Sequence, residues 1–231
     1  MGFFADSFIS ALHMMVALDR SLLEIVYVSL RVSIFSTIIG GVMAIPLGIF
    51  IVLYDFPGKR LVLTILNTLL SLPTVVIGLF VYTFISRRGI FGAWDLLYTQ
   101  NAIIIGQVIL LIPIVTIFTI SAVSRISERY RPTALTLGAS HVGAAWVVIK
   151  EGKYGVISAI AMAFGRVISE VGISMMLGGN AKGFTRTMTT AMALEYDKGE
   201  FVLSIALGIV LLTISFLLNA VITRLQGKLP V

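Results

Sequence analysis

Residues 125–153, RISERYRPTALTLGASHVGAAWVVIKEGK, are the stretch on which the reading of this chain turns. They form a polar, basic interruption between two apolar runs that are each long enough to cross a bilayer. A loop that only reverses the chain needs neither this length nor this composition. Pro132 can open a helix at its first position, residues 133–137 can continue it, and Gly138 can end it before another helix starts near Ser140. The expectation is two short helices with a bend. Leu135, Leu137, Val142 and Trp146 have no place in an isolated solvated loop, so they bury either against the protein's own spans or against a partner.

The composition outside this stretch says what surrounds it. The chain has 231 residues, 58% of them hydrophobic and 12% charged, with a mean hydropathy of +1.04. A soluble domain carries about one quarter charged residues, so the solvent here is lipid. There is no cysteine, which removes disulfides, thiolate metal ligands and thiol nucleophiles. The net charge of +6 does not indicate nucleic acid, because the basic residues flank apolar runs and are not gathered on one arm or face. The N-terminal residues, with Asp6 close behind Phe3 and Phe4, lack the basic region and cleavage site of a signal peptide, so they read as a retained interfacial amphipathic segment.

Five runs meet the requirement of about 20 mainly apolar residues for a spanning helix: 22–54, 61–85, 102–123, 154–177 and 201–223. The first is long enough to tilt or protrude. One set of loops carries Lys59, Arg60, Arg125, Arg129, Arg131, Lys150, Lys153, Arg224 and Lys228 against only Asp55, Glu128 and Glu151. The opposite set, with Arg20, Arg87, Arg88, Lys182, Arg186 and Lys198, is more than balanced by acidic residues. By the positive-inside rule the first face is cytoplasmic, the N-terminus outside and the C-terminus inside. Ser36, Gly40, Ala44 and Gly48 make a small-residue stripe suited to close helix packing. Pro46, Pro73 and Pro113 fall inside spans and favour kinks. No internal repeat points to an inverted-repeat carrier.

The loop resembles the cytoplasmic loop of permease subunits of ATP-binding-cassette importers of the type I (MetI-like) fold, which reads Glu-Ala-Ala, three residues, Gly, nine residues, then Ile-x-Leu-Pro. Ala134 and Gly138 match it and Val148 stands for the isoleucine. Pro132 and Thr133 replace the first Glu-Ala, and Lys150-Glu151 replaces Leu-Pro. The resemblance covers nearly the whole chain and is closest to the tungstate permeases, with molybdate permeases more distant. It is carried by Ser71-Leu72-Pro73-Thr74-Val75-Val76-Ile77-Gly78-Leu79, by 107–113, by Phe164-Gly165-Arg166-Val167-Ile168-Ser169-Glu170-Val171-Gly172, and by Gly178-Gly179-Asn180, Thr185-Arg186, Thr189-Thr190-Ala191 and Leu194-Glu195.

That resemblance implies an all-α integral membrane protein with five transmembrane helices in a single permease domain over 1–231. It also implies a partnership: a second copy of the chain, two cytoplasmic ATPase subunits that bind ATP and Mg, and an extracytoplasmic tungstate-binding protein, all within a prokaryotic inner membrane. Membrane lipid is the remaining partner. The residues agree, because no G-x-x-x-x-G-K-[ST] phosphate loop is present and Gly58-Lys59-Arg60 lacks its hydroxyl and upstream glycine. ATPase coupling is then expected of Ala134, Leu135, Leu137, Gly138, Ala139, Ser140, Val142 and Trp146. The chain itself needs no cofactor and performs no catalysis: His13 and His141 lie far apart, and no metal-ligand spacing or nucleophile with base and orienting acid is discernible.

Arg166, Glu170 and Ser174 recur every four residues in the fourth span, on a face shared with Ser158 and Met162. An unpaired charge in a span costs roughly 2.5–3.5 kcal/mol, so Arg166 and Glu170 either pair to fix helix packing or face a polar pathway. Arg31, about three turns into the first span, can snorkel to the interface. Lys182, Thr185, Arg186, Thr189 and Thr190 offer cations and hydroxyls on the outer side, suited to a divalent oxyanion or to the binding protein, although such loops are also simply solvated. Transport of molybdate or another oxyanion is the near alternative. An ATP-independent channel or carrier, or a membrane scaffold that recruits a partner, are the more distant ones.

Overall fold

A computed structural model describes residues 2–226. Met1, read with the N-terminal segment, and Lys228, counted on the basic face, lie outside the described residues. In chain order the helices are α1 (Gly2–Val16), α2 (Arg20–Leu53), α3 (Lys59–Leu70), α4 (Thr74–Ile85), α5 (Gln100–Thr136), α6 (His141–Ile168), α7 (Gly172–Gly178), α8 (Met188–Asp197) and α9 (Phe201–Gln226), with a 3₁₀ turn at Gly92–Trp94. No strand occurs among the described residues.

Three helices are singly long and apolar enough to cross a membrane: α2, α5 and α9. The runs at 61–85 and 154–177 are each two helices joined by a bend; Pro73 marks the first bend, and the second has no proline to announce it. The first is α3 and α4, bent by 103°. Pro73 brings no N–H to continue the ladder, and Ser71 and Leu72 close the end of α3 with tight bonds to the Thr68 and Leu69 carbonyls. The second is α6 and α7, bent by 59° around residues 169–171. Pro46 and Pro113, by contrast, lie inside helices that run on past them.

The two short loop helices are corrected. α5 runs through Pro132 to Thr136, and α6 starts at His141, so the loop consists of the ends of two long helices around a four-residue turn. A tertiary tie accompanies the passage through proline. Arg131 Nη1 donates to the Leu53 carbonyl at 2.8 Å, satisfying an acceptor that the last turn of α2 cannot satisfy for itself.

The chain divides into two compact units. The first holds the described residues up to Ser36, Pro73–Gln107 and Gly165–Leu218. Here Val28, Val32 and Ile103 form a buried cluster. Backbone-close contacts seat α7: a Cβ added at Gly106 would lie 2.6 Å from Ile173 and Leu177, and one at Gly78 would lie 3.0 Å from Met176. Asp19 accepts from the Ser21 and Leu22 amides and from the Ser21 hydroxyl, capping the start of α2. The Ser21 hydroxyl, foremost, with these amides, lowers the Asp19 pKa below its ordinary value. On α1, Ser7 and Ala11 are buried while Phe8, Ile9, Leu12 and Val16 are exposed.

The second unit holds Thr37–Leu72, Val108–Phe164 and the described residues from Asn219. The small-residue stripe works here as a seam. A Cβ at Gly40 would sit 3.0 Å from Leu111 and one at Gly48 2.8 Å from Thr119, while Thr116 Oγ1 donates to the Ala44 carbonyl at 3.4 Å. Ser36 belongs to the first unit, where its hydroxyl bonds the Val32 carbonyl. Leu53, Val123 and Val148 form the second unit's buried cluster.

Candidate functional site

The turn between α5 and α6 is built around one backbone conformation. Gly138 has φ +88°, a region that side chains with a Cβ disfavour, and nothing lies within 4 Å of where that Cβ would go. The Gly138 and Ala139 amides bond the Leu135 and Ala134 carbonyls, closing α5, and the Ser140 hydroxyl accepts from the Gly143 amide, opening α6. One face of this turn is anchored. Ala144 and Val148 are fully buried in the second unit, and Ala134, Leu135 and Ala139 are half-buried.

The opposite face is apolar and uncovered. Leu137, Val142 and Trp146 are 83%, 80% and 66% exposed. Their own chain therefore does not bury them, and a loop helix folded onto its own spans is ruled out for these three. Gly138 and Ser140 are exposed beside them.

In the first unit Arg166 and Glu170 form an ion pair, Nη1 to Oε2, at 2.6 Å. The helical face expected for Ser158, Met162, Arg166, Glu170 and Ser174 stops at Arg166, because α6 ends at Ile168, Glu170 lies in the bend and Ser174 is on α7. There the second oxygen of its carboxylate accepts from the Ile173 amide at 3.2 Å, and its carbonyl accepts from Thr189 Oγ1 at 2.8 Å. The Glu170 side chain is 2% exposed and that of Arg166 41%, so the pair joins a buried anion to a cation at an accessible surface. The Ser174 hydroxyl and Gln107 Oε1 are buried with no hydrogen-bond partner among the described residues, while Gln107 Nε2 donates to the Val167 carbonyl just before the bend. Ser158 and Met162, in the second unit, line a cavity of about 390 Å³ with Phe118, Ser121, Ala122 and Tyr154.

The loop after α7 uses its polar groups internally. Thr185 is buried, donates to the Gly178 carbonyl and accepts from the Ala181 amide. Thr187 and Thr190 form a reciprocal capping box at the start of α8. Thr189 holds the Glu170 carbonyl, and Arg186 is half-buried and faces Glu195 at 3.5 Å. Met188 N donates to Ser29 Oγ at 2.6 Å, which fixes this capped start against α2. Of the five residues expected to meet an oxyanion or binding protein, Lys182 alone is exposed and outside any ion pair among the described residues. A separate cavity of about 720 Å³ lies in the loop after α4, lined by Tyr82, Arg87, Arg88, Asp95 and Tyr98 among others. Tyr82, acting chiefly through its charge and aided by burial, raises the Tyr98 phenol above its ordinary value.

Sequence reading missed the Asp19 cap, the Arg131 anchor and the interior bonds of Ser29, Gln107 and Thr189. Gln107 and Thr189 had a signal, each as the first residue of a segment resembling permeases. No group of three His, Cys, Asp or Glu side chains that could hold a metal ion occurs among the described residues.

Apolar helices able to cross a membrane, a glycine-hinged turn with an uncovered apolar face and a half-buried charge pair beside a helix break make up a multi-pass membrane protein. The sequence matches the family described as "Binding-protein-dependent transport system inner membrane component" over residues 36–229, and the chain belongs to that family. It is similar to the tungstate uptake system permease protein TupB of Peptoclostridium acidaminophilum, 39% identical over 99% of this chain and 100% of that one. The TupB of Campylobacter jejuni is 36% identical over 96% of this chain and 92% of its own length. A probable anion ABC transporter permease protein of Haloferax volcanii is 36% identical over 90% of this chain and 92% of its own.

Proposed function

We propose that this chain is the membrane-spanning subunit of an ATP-binding-cassette importer that carries tungstate inward by alternating access, driven by separate ATPase subunits. The observation that carries the reading is the exposed trio Leu137, Val142 and Trp146 around the Gly138 turn. An apolar face on an otherwise basic, solvated loop is stabilised when a partner covers it. The absence of a phosphate-loop motif from the sequence gives that partner a task, namely ATP and Mg binding. Tungstate as cargo rests on the two named tungstate relatives, whose likeness runs nearly end to end.

In this reading each bent pair is one span, which with α2, α5 and α9 makes five. The N-terminus is outside and the C-terminus inside, so the Gly138 turn faces the cytoplasm and the ATPase. Two copies form the pathway, and an external binding protein delivers the oxyanion. The chain does no chemistry itself. Lys182, Arg87 and Arg88 attract the anion or its carrier on the outer side, whereas the inward-turned hydroxyls of Thr185, Thr189 and Thr190 shape the loop. The Arg166–Glu170 pair holds the bend between α6 and α7, the element whose movement opens or closes the path.

The test is tungstate uptake into vesicles containing the chain with its ATPase and binding protein. ATP-dependent accumulation that disappears when either partner is left out is expected; flux that persists without the ATPase would overturn the proposal.

A further inference from the structure

Val32 begins an uncharged stretch of 22 residues (32–53) within α2, long enough to cross the hydrocarbon core. Arg31 immediately precedes it, which places its guanidinium at headgroup depth. Tyr27 and Phe35 lie one turn to either side on the same face, exposed, as aromatic residues at a membrane boundary are. Arg31 is exposed, and no hydrogen bond or ion pair holds it among the described residues.

Within the first unit this face of α2 opens into a groove of about 560 Å³, completed by the start of α5 and by Gly183 and Phe184. Glu24 also lines it, but its carboxylate is already engaged by Arg20 Nε at 3.0 Å. Gln100 donates across the groove to the Phe184 carbonyl at 2.6 Å. Asn101 keeps a side-chain amide with no partner among the described residues. The lining on the core side of Arg31, with Phe35 and Ile104, is apolar. One free guanidinium and one free carboxamide at the mouth of an apolar groove, at the depth of lipid phosphates, form the donor set for a tetrahedral oxyanion that carries a hydrocarbon tail.

We propose that Arg31 and Asn101 bind the phosphate of an anionic lipid, whose acyl chain lies along Phe35 and Ile104. The shared chemistry is a tetrahedral oxyanion, and the lipid is the favoured source because the groove is apolar below its cation. This site is separate from the tungstate reading and survives its failure.

The full-length chain in micelles of an uncharged, phosphate-free detergent would be titrated with phosphatidylglycerol, sodium tungstate and inorganic phosphate in parallel, with bound ligand counted by native mass spectrometry. Phosphatidylglycerol is expected to be retained. Arg31→Gln should weaken that retention about tenfold or more, the scale of a lost hydrogen bond to a charged group. Arg31→Lys should weaken it less, and Asn101→Leu should weaken it in part. Arg125→Gln, which removes an exposed cation elsewhere, should leave it unchanged. Arg31 makes no bond among the described residues that holds the fold, so the Arg31 variants should melt as the parent does in detergent alone. Equal retention by Arg31→Gln and Arg125→Gln would overturn the site. Binding of free tungstate or phosphate that needs Arg31, without any preference for phosphatidylglycerol, would keep the oxyanion site and overturn the lipid.

Discussion

Glu170 holds three contacts from one position in the bend: an ion pair to Arg166, an acceptor for the first turn of α7, and a backbone carbonyl taken by Thr189. Arg166→Met leaves a 2%-exposed carboxylate without its cation, a loss of about 1–3 kcal/mol for a stranded buried group. The exposure of Arg166 keeps the value from the upper range for fully buried pairs. Glu170→Gln should cost less, since the amide oxygen can still accept from Ile173. Arg166→Met with Glu170→Gln should be more stable than Arg166→Met alone, as read by thermal unfolding in detergent. A double variant no better than Arg166→Met would show that the two charges are not coupled. At Asp19 the folded-state pKa is depressed, so its cap contributes fully above the unfolded carboxylate value of about 3.9 and is lost as pH falls through the lower folded value. Exchange protection of the Ser21 and Leu22 amides should fall in that acid window, and Asp19→Ala should abolish the pH dependence. The ion pair was legible from the four-residue spacing of Arg166 and Glu170. The Asp19 cap was not, because aspartate before a helix is one of several uses of that residue.

Among the elements, α2 gives a sharp contrast between two glycines. A Cβ at Gly48 would fall 2.8 Å from Thr119, whereas one at Gly41 meets only Ile45 at 3.8 Å. Gly48→Val should cost about 1–3 kcal/mol by overpacking. Gly41→Ala should be neutral or slightly stabilising, because alanine is the better helix former. Melting temperatures of the two variants check this directly. Gly138 differs from both, since space around it is open and its backbone angle is the constraint. Gly138→Val should lower stability by about 1–2 kcal/mol, and co-purification of the ATPase should fall with it. The sequence located the Gly138 turn, but it misjudged the helices around it. Pro132 and a polar composition suggested short separate helices, while a tertiary bond from Arg131 to Leu53 accompanies a 37-residue α5.

For the molecule as a whole, the lack of cysteine makes orientation testable without background. Single variants Ser140→Cys and Lys182→Cys both place a thiol at an exposed loop position. A membrane-impermeant thiol reagent added to sealed, right-side-out vesicles should label Lys182→Cys and spare Ser140→Cys until the membrane is opened. The reverse pattern would invert the proposed topology.

Hydropathy, the basic loops and the glycine of the Gly138 turn are local properties, so the sequence alone established a helical membrane protein, its apolar runs and the place of the Gly138 turn. Pro73 marked the break at 71–73, whereas the break at 169–171, the inward commitment of the loop threonines and the groove beside Arg31 came only from the tertiary structure. Each depends on which donors and acceptors meet across distant parts of the chain, as with Thr189 and Glu170 or Met188 and Ser29. A threonine on a loop carries the same letter whether its hydroxyl faces water, a ligand or a helix end. Only the fold supplies its partner.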